Sequence, residues 1–386
     1  MQAAVVGAGI TGITTAYYLA KAGYEVTIYD ERKYPAMATS YANGGQLSAS
    51  NAEVWNSWRS VYKGIKWLTK KDAPLKVNPW PSPDKYSWFF KFIKEIPNAD
   101  INTQRTCEMA LEAHNLYKKI ALEEGIKFDK VEKGILHIYT DEAEYENAKR
   151  VNAVYARAGL KRWEVSADEC LKIEPALVPP PTLLGGMYND TDFTGDIHKF
   201  CVELTKVLVE KYDVVFTNKI MDRIEDWRGP IVVCAGTGSR KLAKTIDDDL
   251  PIYPVKGYSI TINNPGNAPW VSLLDDEAKI VTARLGKDRL RVAGTAEFNG
   301  YNTDIVQARI RPLIRWAERM FEGINTEDIK PWAGLRPMTP SMMPIVRQSA
   351  TKTNVWYNTG HGHLGWTLSA YTAQAIADRI RGYNGP

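Results

Sequence analysis

Ala3-Ala4-Val5-Val6, followed at once by Gly7-Ala8-Gly9-Ile10-Thr11-Gly12, is the stretch whose reading decides the fold. A helical pattern runs on to Lys21, and a second apolar run, Val26-Thr27-Ile28-Tyr29, ends on Asp30. Strand, glycine turn, helix, strand and terminal acid make one βαβ unit suited to a dinucleotide. Gly7 permits the tight turn, Gly9 lets backbone approach a pyrophosphate, and Gly12 lets the helix pack on the strand. The helix start, with Ile10 and Thr11 in its first turn, supplies oriented N–H donors and a partial positive charge. Asp30, followed by Glu31 and Arg32, falls where a carboxylate accepts hydrogen bonds from a ribose. The motif alone does not choose between FAD and NAD.

A chain of 386 residues has room for roughly two to three domain-sized units and a buried core. Hydrophobic content of 44% and charged content of 24% are those of an ordinary globular protein. The net charge of +4 is too small to demand a polyanionic partner. Cys107, Cys170, Cys201 and Cys234 lie far apart, which fits reduced thiols rather than a disulfide framework or a metal site. No apolar run reaches the ~20 residues that span a bilayer. The first strand begins at once, so no signal peptide is expected and a cytoplasmic location is.

Further along, the α/β pattern returns in pieces. Thr103 to Glu124 reads as an amphipathic helix, Gly134–Tyr139 as a strand, and 142–158 as a charged helix. Asp196 is expected to cap a helix running to Tyr212. Val214–Thr217 and Ile231–Gly236 read as strands, the second ending in a small-residue turn at Ala235 and Gly236. From Tyr253 the period becomes two, through Tyr258–Ile262, Ile280–Arg284 and Arg289–Gly294, which marks an antiparallel sheet. Asp304 to Phe321 is a helix, Asn354–Tyr357 a strand, and Leu364 to Arg381 a helix after Thr359-Gly360-His361-Gly362.

That last strand, glycine turn and helix repeats the physics of the N-terminal unit, aiming amides and a positive helix end at an electron-rich group. A helix start with glycines for close packing is an equal alternative. Upstream lies Gly334-Leu335-Arg336-Pro337-Met338-Thr339-Pro340. An arginine among such neighbours is expected to be enclosed, and its planar fork then needs a carboxylate. A substrate carboxylate and an internal Asp or Glu are both open on spacing alone.

Gly7–Gly12, the Ala38–Ser48 run, Tyr253–Ser259, Gly334–Pro340 and Asn358–Thr367 occur in this order. Together they resemble the FAD-dependent D-amino-acid oxidase/dehydrogenase family, on its bacterial dehydrogenase branch. The resemblance, not the spacing, selects FAD over NAD. It implies a noncovalent FAD, since no cysteine stands near the Gly334–Pro340 motif, where some relatives tether theirs. The ADP half falls to Gly7, Gly9, Gly12 and Asp30, the pyrophosphate or ribityl region to Thr39 and Ser40, and the isoalloxazine border to Asn43, Gly44, Gly45, Gln46 and Leu47. Ile220 takes the position whose backbone meets adenine. Gly360, His361, Gly362, Leu364, Gly365, Trp366 and Thr367 line the pyrimidine side. Arg336 matches the carboxylate-binding arginine, with Gly334 beside it. Tyr253, Tyr258, Lys256 and His363 are further active-site candidates, each with an ordinary packing role as its alternative.

The implied reaction oxidises a D-amino acid by hydride transfer from Cα to flavin N5. The imino acid then hydrolyses to a 2-oxo acid and ammonia, with a quinone or dye taking the electrons. The alternatives are an oxidase of glycine, sarcosine or a D-proline derivative using O2, and a flavin-fold RNA-modification or binding module. Three features depart from the family: Ser341 stands where many relatives have Asp, the Met221–Pro230 connection is short, and the chain stops at Pro386.

The expected fold is α/β, a discontiguous Rossmann-like FAD-binding domain (1–53, 142–246, 330–386) with a second α+β substrate domain on an antiparallel sheet (54–141, 247–329). Residues 54–98 carry Trp55, Trp58, Trp67, Trp80 and Trp88, with Arg59 and eight lysines against Asp72, Asp84 and Glu95. Within this stretch, 54–94 suits peripheral seating on the inner face of the cell membrane. A lysine-rich surface over a Trp-packed subdomain is the alternative. No nucleic-acid partner and no metal are expected.

Overall fold

The computed structural model describes residues 1–68, 73–224 and 227–382. Lys70, Lys71 and Asp72 of the tryptophan-rich segment, part of the Met221–Pro230 connection, and Pro386 lie outside the described residues.

Among the described residues, six strands form one sheet in the order Ile345–Gln348, Val355–Thr359, Ile231–Val233, Gln2–Val6, Glu25–Asp30, Val215–Asn218. All neighbours are parallel except the Ile345–Gln348 edge. The N-terminal strand is central and buried on both faces, which explains its unbroken apolar run. Helices Ile10–Lys21, Ile197–Tyr212 and Gly365–Arg381 cover one face, where Ile13, Tyr17, Phe200, Trp366 and Ile376 share a core. Asp196 caps its helix as expected, accepting from the Lys199 amide.

The second sheet is mostly antiparallel, with nine strands among the described residues. Its long strands are Tyr253–Asn263, Arg289–Phe298 and Ile329–Met338, with Val255 opposite Arg336 and Lys256 opposite Leu335. Helix Gln307–Met320 packs on it through Leu313 and Trp316. The architecture is the expected one, a Rossmann-like sheet plus a second, mostly antiparallel sheet.

Two of the expected boundaries move. Trp163–Ser166 and Gly185–Asn189 join the second sheet beside Ile135–Tyr139, so the chain returns to the first sheet well after residue 142. Ile329–Met338 likewise pairs with Tyr253–Asn263, which places residue 330 inside the substrate sheet. Both errors come from pairing between distant segments, which leaves no local mark.

Among the described residues, the 54–98 segment includes the short helices Trp58–Trp67 and Pro83–Lys94, capped by Ser57 and Ser82. Its tryptophans divide. Trp88 is buried and donates to the Met338 carbonyl at 2.9 Å, while Trp58 and Trp80 are 66% and 77% exposed.

Candidate active site

A cavity of about 1620 Å³ runs from the glycine turn to the substrate sheet. Its dinucleotide end is made largely of backbone. Gly7 has φ +105°, and a Cβ there would lie 2.7 Å from the Cys234 carbonyl oxygen; a Cβ on Gly12 would overlap the carbonyl of Gly7 itself. Side chains are therefore excluded from the turn, and the cradle stays open. Ser40 Oγ accepts from the Ile10 amide at 3.1 Å, fixing the following loop against the helix start. Asp30 closes the second strand, with its carboxylate accepting from the Ala8 and Arg32 amides at 2.6 and 2.8 Å.

Ser57, Asp141, Ser166 and Asp196 each cap a helix with their own side chain. Helices Ile10–Lys21 and Gly365–Arg381, whose first turns line the dinucleotide end of the cavity, have no such cap and no acid in the first turn. Their positive ends are left for an anionic or electron-rich ligand. Between them, Asn43–Gln46 is clamped from below. Arg291, buried and shifted down to about 10 mainly by its burial, donates to the Asn43 carbonyl at 3.2 Å, and Gln46 Nε2 donates to Ser272 Oγ at 2.7 Å. Buried Asp192 holds the next turn through the Ala49 and Ser50 amides, and burial pushes its carboxyl up to about 6.

At the substrate end, Arg336 faces the cavity from the Ile329–Met338 strand. Its Nη1 donates to the Thr295 carbonyl at 2.7 Å. Gly257, on the neighbouring strand, leaves room for the guanidinium: a Cβ there would lie 2.5 Å from it. Among the described residues no carboxylate lies within 4 Å of Arg336, and burial lowers it to about 10. An enclosed cation without an anion is costly unless a ligand supplies one. His363 stacks on Trp55 with ring centroids 4.7 Å apart. Its ring nitrogens make no hydrogen bond of good geometry, although the Asn51 backbone lies close; burial first, and then the Arg336 charge, lower it to about 3. It is a neutral imidazole at ordinary pH.

Comparison with known proteins agrees with this geometry. A family model described as FAD dependent oxidoreductase (DAO) matches residues 2–379. The chain belongs to this family. D-amino acid dehydrogenase 3 of Mesorhizobium japonicum is 50% identical to it over 397 residues, covering 97% of this chain and 95% of the relative. D-amino acid dehydrogenase of Paramagnetospirillum magneticum is 40% identical, covering 99% and 95%. Glycine oxidase from Geobacillus kaustophilus shares the fold, with a TM-score of 0.78 at 19% identity, over 100% of this chain and 96% of that one.

For a member of an FAD-dependent family, the cradle fits the cofactor: its glycines leave no side chain where the dinucleotide would lie, and two uncapped helix ends converge on it. Of the residues expected to hold FAD, Gly7, Gly9, Ile10, Thr11, Asp30, Glu31, Arg32, Thr39, Ser40, Asn43, Gly44, Gly45, Gln46, Ile220, Ala235 and Gly236 line the cavity. So do Gly334, Arg336, Gly360, His361, Gly362, Leu364, Gly365, Trp366 and Thr367. The His361 ring itself turns away and meets Thr372 Oγ1 at 2.9 Å. Gly12 packs beneath the turn rather than lining the space. Leu47 is a correction: it is fully buried in the helix-side core, because alternation along its short strand points it away.

Two catalytic candidates are also corrected. Lys256 is fully buried, and its Nζ meets Asn302 Oδ1 at 2.7 Å and Glu297 Oε1 at 3.4 Å, outside the cavity lining. Tyr253 stacks on Phe298 and is not itself part of the cavity lining. Tyr258 and His363 do line it; the Tyr258 hydroxyl donates to Glu297 at 2.9 Å, and burial beside that carboxylate raises its pKa. Sequence reasoning missed Thr295, Trp55 and the space-making role of Gly257. Thr295 has no sequence signal; Lys256-Gly257-Tyr258, a glycine inside a strand pattern, does mark a close approach.

Proposed function

We propose that this protein is an FAD-dependent D-amino-acid dehydrogenase, oxidising its substrate to an imino acid that hydrolyses to a 2-oxo acid and ammonia. The observation that carries the reading is Arg336, an enclosed guanidinium with no carboxylate within 4 Å among the described residues, beside a dinucleotide cradle. The name of a relative 50% identical over nearly the whole chain supports it.

The donors of Arg336 not engaged by Thr295 pair with the substrate carboxylate and fix the position of Cα. The same positive charge disfavours an ammonium beside it, so the substrate amine is held neutral, and neutral His363 adds no competing charge. Bound FAD supplies the two-electron oxidant that takes the hydride from Cα. No side chain then has to remove the Cα proton, and this chain's part is positioning and electrostatics. Gly7–Thr11 and Asp30–Arg32 hold the ADP half, Thr39 and Ser40 the pyrophosphate region, and Asn43–Gln46 with Gly360–Thr367 the flavin. The attachment is noncovalent; the four thiols are buried and none lies in the Gly334–Pro340 motif.

The electron acceptor in this reading is a quinone or dye. No helix among the described residues is long and apolar enough to cross a membrane. Peripheral contact is assigned to the outer side of 54–94, where Trp58, Tyr62, Ile65 and Trp80 are exposed.

Anaerobic mixing of the yellow holoenzyme with D- and L-amino acids tests the proposal. Bleaching by D-alanine and similar D-isomers, but not by L-isomers, is the expected result. Bleaching by glycine or N-methyl amines alone would instead assign an oxidase of such amines. Silence toward every amine, with steeply salt-dependent RNA binding, would leave a flavin-fold RNA module.

A further inference from the structure

The cavity does not end at Arg336. It continues past Trp55 into a polar bay walled by Glu53, Asn147, Glu144, Asp276, Lys279 and the inner side of helix Trp58–Trp67. The charges of this bay are nearly all spoken for. Lys279 Nζ sits 3.0 Å from Asp276 Oδ1, and Arg59 Nε sits 3.1 Å from Glu144, which Lys63 also contacts. Glu53 is the exception. Among the described residues it has no cation within 4 Å, and the one side-chain donor it meets is neutral Asn147 Nδ2, at 3.2 Å. Lys279, held by Asp276, and Arg162 act on it only from further away, and burial raises its pKa. Asp276, whose charge also bears on Glu53, is itself engaged by Lys279 and by the Glu144 side chain.

Glu53 is also held in place. Its amide donates to the Tyr155 hydroxyl at 2.8 Å, and its neighbours Ala52 and Val54 are buried. Trp55, two residues on, stacks on His363, whose ring feels the Arg336 charge. Two residues of chain span at most about 7 Å, so the Glu53 backbone lies close to that of Trp55. One ligand chamber thus carries an unmatched cation at one side and an unmatched carboxylate at the other.

We infer that Glu53 receives a cationic group at the end of the substrate's side chain, so that amine- and guanidine-bearing D-amino acids such as D-lysine and D-arginine are preferred. This deepens the dehydrogenase reading and rests on it. The carboxylate end of such a substrate meets Arg336 while the distal cation supplies the counter-charge that Glu53 lacks. A neutral side chain of the same length would leave that carboxylate buried without compensation.

The test compares kcat/KM for D-lysine with that for D-norleucine, which has similar reach but no charge. D-lysine is expected to lead by about tenfold to a hundredfold, the worth of a hydrogen bond to a charged group. In Glu53→Gln the ratio should collapse to within about threefold, and in Glu53→Asp, which keeps the charge, most of it should return. A wild-type enzyme that turns over D-norleucine as well as D-lysine overturns the inference, as does a ratio unmoved in Glu53→Gln. The wild-type comparison stands even where a variant does not fold. Bleaching by D-alanine and D-norleucine with no gain from D-lysine would remove the role of Glu53 alone. No bleaching by any D-amino acid would remove the dehydrogenase reading itself.

Discussion

The two ends of the cavity are built by different means. The dinucleotide end is backbone: a turn stripped of side chains at Gly7 and Gly12, and two helix starts without caps. The substrate end is side chains brought from distant segments, with Arg336, Thr295, Gly257, Trp55 and Glu53 meeting across the edge of a second sheet. Backbone chemistry is local and tolerates little change. Side-chain chemistry is collected from afar and can be altered one group at a time. The difference predicts how each end fails.

The largest effect should come from the backbone end. Gly12→Ala places a methyl on the Gly7 carbonyl, so the turn must open at a cost of about 1–3 kcal/mol or more. The expected protein purifies without flavin absorbance, and stoichiometric FAD in that variant would refute the cradle. At the other end, Arg336→Ala should keep full flavin content yet lose about tenfold to a hundredfold in kcat/KM, mainly through KM. Unchanged apparent affinity for D-amino acids would deny the arginine its role, and loss of flavin would blur the division between the two ends. The smallest effect belongs to the outside of the substrate end. Replacing exposed Trp58 and Trp80 by alanine should lower co-sedimentation with anionic liposomes by a few-fold, about 1 kcal/mol in total; equal recovery of variant and parent would dismiss the membrane contact.

The same division explains what could be read from the sequence. The first βαβ unit, Asp196 as a cap, the period-two strands and the final strand–turn–helix all depend on neighbours in the chain, and each stands within a few residues of its expected bounds. Membership of Trp163–Ser166 and Gly185–Asn189 in the second sheet depends on partners far away, and it was not legible. Lys256 and Tyr258 lie two apart on one strand and looked alike. A register shift between them leaves Tyr258 on the cavity wall, while Lys256 is drawn to Glu297, Asn302 and Asp304. Trp55 and Trp58, three apart, part company in the same way: one stacks on His363, the other faces solvent.

Thr295 holds its backbone at φ +63°, a left-handed conformation that costs a β-branched residue roughly 1–3 kcal/mol. That peptide carries the carbonyl to which Arg336 donates. One edge of the guanidinium is thereby anchored to the backbone, and the other is left for a ligand. The cost of that conformation is met as the chain folds rather than when a ligand binds.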